Sequence, residues 1–262
     1  MLTISFTNNK GGVGKTTSSI AMAYFCALQG KKTLLIDMDP QGNATSSLID
    51  KSTVSRTIKN AFQDKKIEDC IVTTNENNLY LIPTNLTLDE ANILFSSAFR
   101  REEILKKLLK KIENKFEICI IDTAPTLSLL TFNALVASDS IYIPVKTGGY
   151  ELEGMRNLIN ITSEISERKP GIFFNQYQSN QAMSKNIKEE IEKEFGKTMM
   201  NHIRQNSSLR EAALIHESIF NYSSDSNGAV DYEKLCQEIF EREGLKIKKI
   251  RKKQSKNDID QI

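Results

Sequence analysis

Cysteine and histidine, the residues that build many metal and redox sites, are scarce in this chain. Among 262 residues there are two histidines, His202 and His216, which have no ligand-like spacing and are expected to be structural or surface residues. The four cysteines lie far apart, with no C-x-x-C pair, at Cys26, Cys70, Cys119 and Cys236. This spacing offers no metal-ligand cluster, and a reducing cytoplasm fits it best.

Long apolar runs and a strong excess of one charge are also missing. No apolar run approaches the roughly 20 residues that a membrane helix needs. The net charge of +2 at pH 7 means that any surface for a polyanion must be local. The first residues lack the basic segment of a signal peptide, so a cytoplasmic location is expected. The composition, 39% hydrophobic and 26% charged, suits one large α/β domain.

The most informative stretch is Asn8–Thr17, which reads NNKGGVGKTT. It follows an apolar run predicted to be a strand, Leu2–Phe6, and leads into a predicted helix over residues 18–28. Strand, glycine-rich loop and helix in this order are the context of a phosphate-binding P-loop. The strict pattern G-x-x-x-x-G-K-[ST] fails, because Asn9 stands where its first glycine is expected, and an additional lysine, Lys10, follows.

Lys15 and Thr16 of this loop are expected to bind the phosphates and their metal ion. Lys15 would reach the β- and γ-phosphates of a nucleoside triphosphate, and the Thr16 hydroxyl would hold Mg²⁺. Backbone N–H groups of the glycine-rich turn would face the phosphates, and the N-terminus of the following helix adds positive potential.

Three aspartates follow predicted buried strands. Asp122 comes directly after Ile118–Ile121, the arrangement of a Walker B carboxylate that serves Mg²⁺. Asp37 and Asp39 follow the predicted strand over residues 32–37 and are two residues apart, so both side chains face the same way. One could serve the metal shell while the other orients the attacking water. The sequence therefore predicts hydrolysis of a nucleoside triphosphate.

The rest of the chain alternates strands and helices. This alternation predicts an α/β fold with a single doubly wound, mostly parallel sheet and helices on both faces, a P-loop NTPase domain over residues 1–243. Further strands are predicted over residues 79–83, 140–145 and 171–175. Further helices are predicted over residues 54–62, 66–71, 98–115, 128–137, 151–168, 183–195 and 228–243. Residues 244–262 are basic and are predicted to form a flexible tail.

Several motifs together resemble the ParA/MinD family of deviant Walker A ATPases. Lys10–Thr17 resembles the family's phosphate loop, and Asp37–Thr45 resembles the loop after the second strand in ParA/Soj proteins. Asp122–Pro125 resembles the Walker B and second switch region. Pro144–Val145, followed by Glu151–Met155, resembles the segment after the next strand. The resemblance covers roughly residues 1–240.

The resemblance implies a set of roles around ATP and Mg²⁺. Lys10 would reach across a dimer to the partner's nucleotide, Asp39 would position the hydrolytic water, and Thr16, Asp37 and Asp122 would serve the metal region. The implied nucleotide-binding residues are Lys10, Gly11, Gly12, Val13, Gly14, Lys15, Thr16, Thr17 and Asn206.

The same resemblance implies a partition cycle. A homodimer would form with ATP, bind DNA without sequence preference and come apart after hydrolysis stimulated by a ParB-like centromere-binding adaptor. Intrinsic ATP hydrolysis would be weak, and the protein would be cytoplasmic and associated with the nucleoid. The strand before the P-loop begins at Leu2, with no helix-turn-helix region before it, which resembles the short ParA types.

The DNA-binding prediction depends on less specific features. Many relatives carry Ile-Pro-Arg-Asn where this chain has Ile203–Asn206, so the proline position is Arg204 and the arginine position is Gln205. The candidate phosphate contacts are Lys185, Lys188, Arg204 and Arg210. The alternative is that the lysines are solubilising residues, since glutamates are interleaved with them.

Other members of the same superfamily provide alternatives. A MinD-like, membrane-associated positioning ATPase needs a C-terminal amphipathic helix, but the apolar residues of the tail are sparse, so no stable membrane insertion is expected. An electron carrier of the nitrogenase iron protein type needs cysteines that hold a cluster between subunits, and none of the four follows a switch loop.

Overall fold

The fold is built around a seven-stranded sheet in a computed structural model that describes residues 1–96, 98–147, 152–166, 168–215 and 217–248. The strands are β1 Leu2–Phe6, β2 Thr33–Met38, β3 Val72–Thr73, β4 Leu79–Ile82, β5 Ile118–Thr123, β6 Ser140–Val145 and β7 Gly171–Phe174. Their order is β3-β4-β2-β5-β1-β6-β7, and every neighbouring pair is parallel except β3 with β4. The predicted mostly parallel sheet is therefore confirmed.

Helices follow most of the strands and cover both faces. In the described residues they are α1 Lys15–Leu28, α2 Asn43–Leu48, α3 Ile58–Asp64, α4 Ala91–Ser96, α5 Ile104–Leu109, α6 Leu129–Ala137, α7 Leu152–Ile165, α8 Ala182–Phe195, α9 Ser208–Leu214, α10 Ile219–Tyr222 and α11 Asn227–Arg242. No helix in this described part of the chain is both long and apolar enough to cross a bilayer.

The alternation of side chains along the central strands divides the core between the two faces. On β5, Ile118 and Ile120 pack with α1 and α11, while Cys119 and Ile121 pack with the layer of α3 to α6. Both sides of β5 are fully buried, which is why its sequence is apolar throughout rather than alternating. Between α1 and α11, the rings of Phe25 and Phe240 pack perpendicular to each other with their centroids 5.1 Å apart. All four cysteines are buried in these layers.

Parallel register brings the functional loops to one edge. Asp37 on β2 and Phe6 on β1 both align with Asp122 on β5, so the segments after these three strands leave the sheet side by side. The carboxyl edge of a parallel sheet is where α/β proteins bind ligands. The fold thus places the P-loop and all three aspartates of the prediction in one region.

The predicted helix over residues 98–115 is wrong in extent. A 3₁₀ turn at Arg101–Glu103 leads into the short helix α5, which ends at Leu109. The buried Asn133 side chain fixes this start, because it accepts from the Leu105 N–H at 3.0 Å and donates to the Arg101 carbonyl at 2.8 Å. A tertiary contact therefore overrides the helical periodicity.

Other predicted boundaries also need correction. The helix predicted over residues 54–62 begins only at Ile58, after a cap formed by Thr57 and Asn60. The one predicted over residues 66–71 is a 3₁₀ turn at Glu68–Cys70. Residues 43–45, predicted as loop, begin α2. The remaining predicted strands and helices agree within a few residues with observed ones, although Glu151, His216 and tail residues 249–262 lie outside the described residues.

Close packing of β7 against β6 yields a stability prediction. A Cβ on Gly171 would lie 2.6 Å from the Tyr142 ring and 2.7 Å from the Met200 sulfur, so Gly171→Ala should lower the free energy of unfolding by about 1–3 kcal/mol. Gly196→Ala is the matched control, because nothing lies within 4 Å of its Cβ position. Urea unfolding measures both variants, and equal stability of the two would contradict the packing described.

Candidate nucleotide site

The P-loop is a rigid turn between β1 and α1. Gly12 and Gly14 have positive φ angles of 69° and 96°, which favour glycine. A Cβ on Gly14 would lie 1.7 Å from the amide nitrogen of Asn175, so a side chain there would push into the residue after β7. Asn175 Nδ2 donates to the Val13 carbonyl at 2.9 Å, and Gln176 Nε2 donates to the Gly12 carbonyl at 3.3 Å. Because these carbonyls are held toward β7, the turn is fixed before any ligand arrives.

Lys15 places a cation at the floor of this turn. Its side chain is buried, and Nζ donates to the Lys10 carbonyl at 2.8 Å, which closes the loop on itself. Burial lowers the pKa of Lys15, whereas Asp122 and Asp39 raise it. Lys15 thus lies at the start of α1, the position from which a P-loop lysine reaches the phosphates.

Asp122 provides the strongest sign of an ion site. It is fully buried, Ser19 Oγ donates to its Oδ1 at 3.0 Å, and its Oδ2 has no hydrogen-bond partner in the described part of the chain. Burial raises the pKa of Asp122, and repulsion from Asp37 raises it further, while the hydroxyls of Thr16 and Ser19 oppose this. A buried carboxylate oxygen without a partner, beside a threonine hydroxyl, fits Mg²⁺ and its water shell.

Asp37 lies next to Asp122 but is already engaged. Its Oδ2 accepts from the Thr45 N–H at 2.8 Å and from the Thr45 hydroxyl at 2.7 Å, and its Oδ1 accepts from the Asp39 N–H at 3.1 Å. Burial raises the pKa of Asp37, and these hydrogen bonds oppose the rise. Asp37 therefore anchors the loop between β2 and α2. Its role near the metal ion remains a prediction.

Asp39 projects from that anchored loop. It is largely buried, and its Oδ1 accepts from the Gln41 N–H at 3.0 Å. Burial raises the pKa of Asp39 and nearby Asp89 adds to this, while the Gln41 hydrogen bond and the charge of Lys15 lower it. The charges of Asp39 and Lys15 affect each other's pKa, which requires the two side chains to be near each other. The loop after β2 therefore faces the P-loop.

Three residues that support the site were not identified from the sequence. Ser19 lies one turn after Lys15 and so shares its side of α1, a spacing that could have indicated its contact with Asp122. Asn175 contacts the P-loop across 162 residues, and Thr45 contacts Asp37 across eight, and neither contact has a local signal in the sequence.

A groove of about 480 Å³ extends from the P-loop side of α1. Its lining includes Thr16 and Thr17 at the start of α1 together with several apolar side chains. These apolar residues are Ile20, Ala21, Leu209, Ala212, Leu214 and Ile219. Asn206, two residues before α9, has a buried Oδ1 without a hydrogen-bond partner among the described residues. Space with apolar walls beside the P-loop helix suits a nucleoside. Asn206 is not among the residues that line this groove, so its predicted contact with the nucleotide remains a prediction.

The predicted DNA contacts are in different environments. Arg204 forms a bidentate pair with Asp231, with nitrogen–oxygen distances of 2.8 and 2.7 Å, so an intramolecular carboxylate already uses its guanidinium. Lys188 lies 3.6 Å from Glu192 and 5.1 Å from the centre of the Tyr177 ring. Lys185 and Arg210 are exposed. The DNA contacts of these four residues remain a prediction. Arg204 fits it least, because its guanidinium is already paired with Asp231.

Fold and site together define the chain as a P-loop ATPase. A family profile described as an AAA domain matches residues 1–176. The chain is 34% identical over 250 residues to the chromosome-partitioning ATPase Soj of Treponema pallidum, covering 92% of this chain and 98% of the relative. It is 36% identical over 245 residues to the sporulation initiation inhibitor protein Soj of Bacillus subtilis, covering 90% and 97%. The chain therefore belongs to the ParA/Soj-type family of partition ATPases.

Solved structures show the same architecture. A putative plasmid partition protein from Borrelia burgdorferi bound to AMPPNP superposes with a TM-score of 0.77 at 27% identity, covering 92% of this chain and 99% of that one. The cobyrinic acid a,c-diamide synthase of Mycobacterium smegmatis, with an ATP analogue and magnesium, gives a TM-score of 0.78 at 23% identity, covering 94% and 98%. The second comparison supports the fold alone.

The Asp37–Thr45 contact yields a prediction about the loop after β2. Thr45→Val removes the hydroxyl that donates to Asp37 and accepts from the Thr84 N–H at 3.0 Å, so buried polar groups lose partners. We expect the free energy of unfolding to fall by about 1–3 kcal/mol, measured by urea denaturation. Thr45→Ser keeps the hydroxyl and should lose far less. A Thr45→Val variant as stable as Thr45→Ser would contradict the anchoring role.

Proposed function

We propose that this protein is an ATP-dependent partition ATPase that dimerises with ATP, binds DNA without sequence preference and is reset by hydrolysis. The observation that carries the proposal is the meeting of Lys15, Asp39 and the unpartnered oxygen of Asp122 at the carboxyl edge of the sheet. This set combines a phosphate-binding cation, a water-orienting carboxylate and a metal-shell carboxylate, which is sufficient for phosphoryl transfer to water.

In this proposal the nucleotide is ATP with Mg²⁺. The N–H groups of Gly11–Gly14 and the Lys15 ammonium hold the phosphates, Thr16 and Thr17 lie at the start of α1, and Thr16 with Asp122 serves the metal. When bound, Mg²⁺ neutralises phosphate charge and organises the surrounding oxygens. The groove beside α1 offers space for the adenosine, and Asn206, whose buried amide oxygen has no partner among the described residues, is the proposed contact to the base.

Asp39 and Lys10 perform different parts of the cycle. Asp39 orients the attacking water, since Asp37 and Gln41 fix its backbone and side chain toward the P-loop. Lys10 contacts the nucleotide of the second subunit, so the terminal phosphate controls association. A lysine supplied in trans gives a charge-assisted contact that exists only in the dimer.

The partners follow from the family. Relatives that share about a third of their residues are named for chromosome partitioning, which supports a cytoplasmic, nucleoid-associated protein that works with a ParB-like adaptor. Dimerisation doubles any basic patch of a monomer whose net charge is only +2, which suits salt-dependent binding to DNA phosphates. Weak intrinsic hydrolysis would leave time for this DNA-bound state before the adaptor resets it.

Lys10→Ala tests the dimer. The variant should stay monomeric with Mg²⁺ and AMPPNP, because the trans contact to the partner's nucleotide is lost, whereas the parent should double in mass. Light scattering coupled to size exclusion measures this. Lys115→Ala, which removes an exposed lysine ahead of β5 at the opposite edge, is the control and should dimerise normally. A Lys10→Ala dimer of unchanged affinity would refute the assignment.

Asp39→Ala tests the chemistry. It should bind AMPPNP and dimerise like the parent but lose turnover by about 10²-fold or more, because the water-orienting carboxylate is gone. Asp89→Ala removes a neighbouring exposed carboxylate and should keep turnover. Phosphate release measured on both variants separates the two, and normal turnover in Asp39→Ala would show that another group orients the water.

A further inference from the structure

Lys146 lies at the carboxyl end of β6, directly beside the P-loop, on a well-fixed backbone. The preceding residue, Val145, accepts from the Asn175 N–H at 2.7 Å. The following residue, Thr147, donates its hydroxyl to Ser184 Oγ at 2.9 Å. One residue further back, the Pro144 carbonyl accepts from Asn8 Nδ2 at 2.8 Å, which connects β6 to the start of the P-loop. Lys146 is therefore held between strand, helix and loop.

The Lys146 side chain points at the glycine-rich turn. Its Nζ is 3.9 Å from the position that a Cβ on Gly12 would occupy, and the residue is half-buried. In the described part of the chain no carboxylate lies within ion-pair distance of this ammonium. An anion at the turn would give this half-buried ammonium a counter-ion.

The position along the loop indicates which part of a nucleotide would supply the anion. In P-loop sites the end of the turn and the start of the helix hold the inner phosphates, while the lysine reaches the outer ones. Here Lys15 Nζ donates a hydrogen bond to the Lys10 carbonyl, so the outer phosphates would lie near the first residues of the loop. Gly12 belongs to that part, and a Cβ on neighbouring Gly11 would meet no atom within 4 Å, so the surface there is open.

We propose that Lys146 is a further phosphate-binding residue that contacts the terminal phosphate from the β6 side and makes the site favour ATP over ADP. This inference rests on the proposed ATP-binding function and adds to it a residue that determines nucleotide selectivity. With Lys146, the site has a lysine directly after β6 in addition to the lysines of the P-loop. A triphosphate carries enough negative charge to bind all of them.

Isothermal titration calorimetry of Lys146→Gln with Mg²⁺ and either AMPPNP or ADP tests the proposal. We expect AMPPNP affinity to fall by about tenfold and ADP affinity by less than about twofold, because only the triphosphate reaches Lys146. Lys146→Arg keeps the charge and should recover much of the AMPPNP affinity. Lys115→Gln, at the opposite edge of the sheet, should bind both nucleotides like the parent.

Two results would overturn the inference, and neither can be confused with failure of the proposed function. Unchanged AMPPNP affinity in Lys146→Gln, or an equal loss for AMPPNP and ADP, contradicts a contact to the terminal phosphate. Lys15→Ala in the same titration reports on the P-loop itself: if it binds like the parent, ATP binding at this site is wrong altogether. The melting temperature of Lys146→Gln should match the parent, since no described ion pair is lost.

Discussion

The nucleotide site depends on two carboxylates that neighbouring strands hold in register and bury together. Asp37 and Asp122 are both fully buried and aligned on β2 and β5, burial raises the pKa of each carboxyl group, and repulsion from Asp37 raises the pKa of Asp122 further. Because their pKa values are raised above the unfolded value of about 4, the folded protein retains protons that the unfolded chain releases. The stability that this pair contributes without ligand therefore falls as the pH rises above that value. A nearby cation lowers the cost of ionising these carboxyl groups, and Lys15 provides one such cation.

The surrounding loops are organised as the partners of this pair. Asp37 is satisfied by Thr45, whose hydroxyl also accepts from the Thr84 N–H, so one carboxylate connects β2, α2 and the segment after β4. Asp122 accepts from Ser19 on one oxygen, and its other oxygen has no hydrogen-bond partner among the residues that the structure describes. A change of charge at that second oxygen can therefore influence the loop that carries Asp39. In a partition ATPase, such coupling would let the state of the nucleotide control the surface seen by a second subunit.

Local signals in the sequence were enough to predict the sheet, the P-loop and the aspartates at the carboxyl edge. Strand–loop–helix order placed Lys15 and Thr16, and apolar runs placed Asp37 and Asp122 at strand ends. Contacts between distant segments were not predictable in this way. Asn175 holds the P-loop from 162 residues away, and Asn133 shortens the predicted helix at α5 through its contacts with Leu105 and Arg101. The pairing of Arg204 with Asp231, 27 residues further along the chain, likewise has no local signal in the sequence.

In the proposed function, Lys15 and the Asp122 oxygen that has no partner among the described residues form one site, which needs both a metal ion and a triphosphate. Thermal unfolding with AMPPNP and Mg²⁺, with AMPPNP and a chelator, and with Mg²⁺ alone tests this most directly. A ligand that binds the folded state at about 100 times its Kd stabilises it by about 2.7 kcal/mol. We expect a clear rise in melting temperature only when nucleotide and metal are present together, and we expect Lys15→Ala to lose this rise. An equal rise with the chelator, or an unchanged melting temperature under all three conditions, would contradict it.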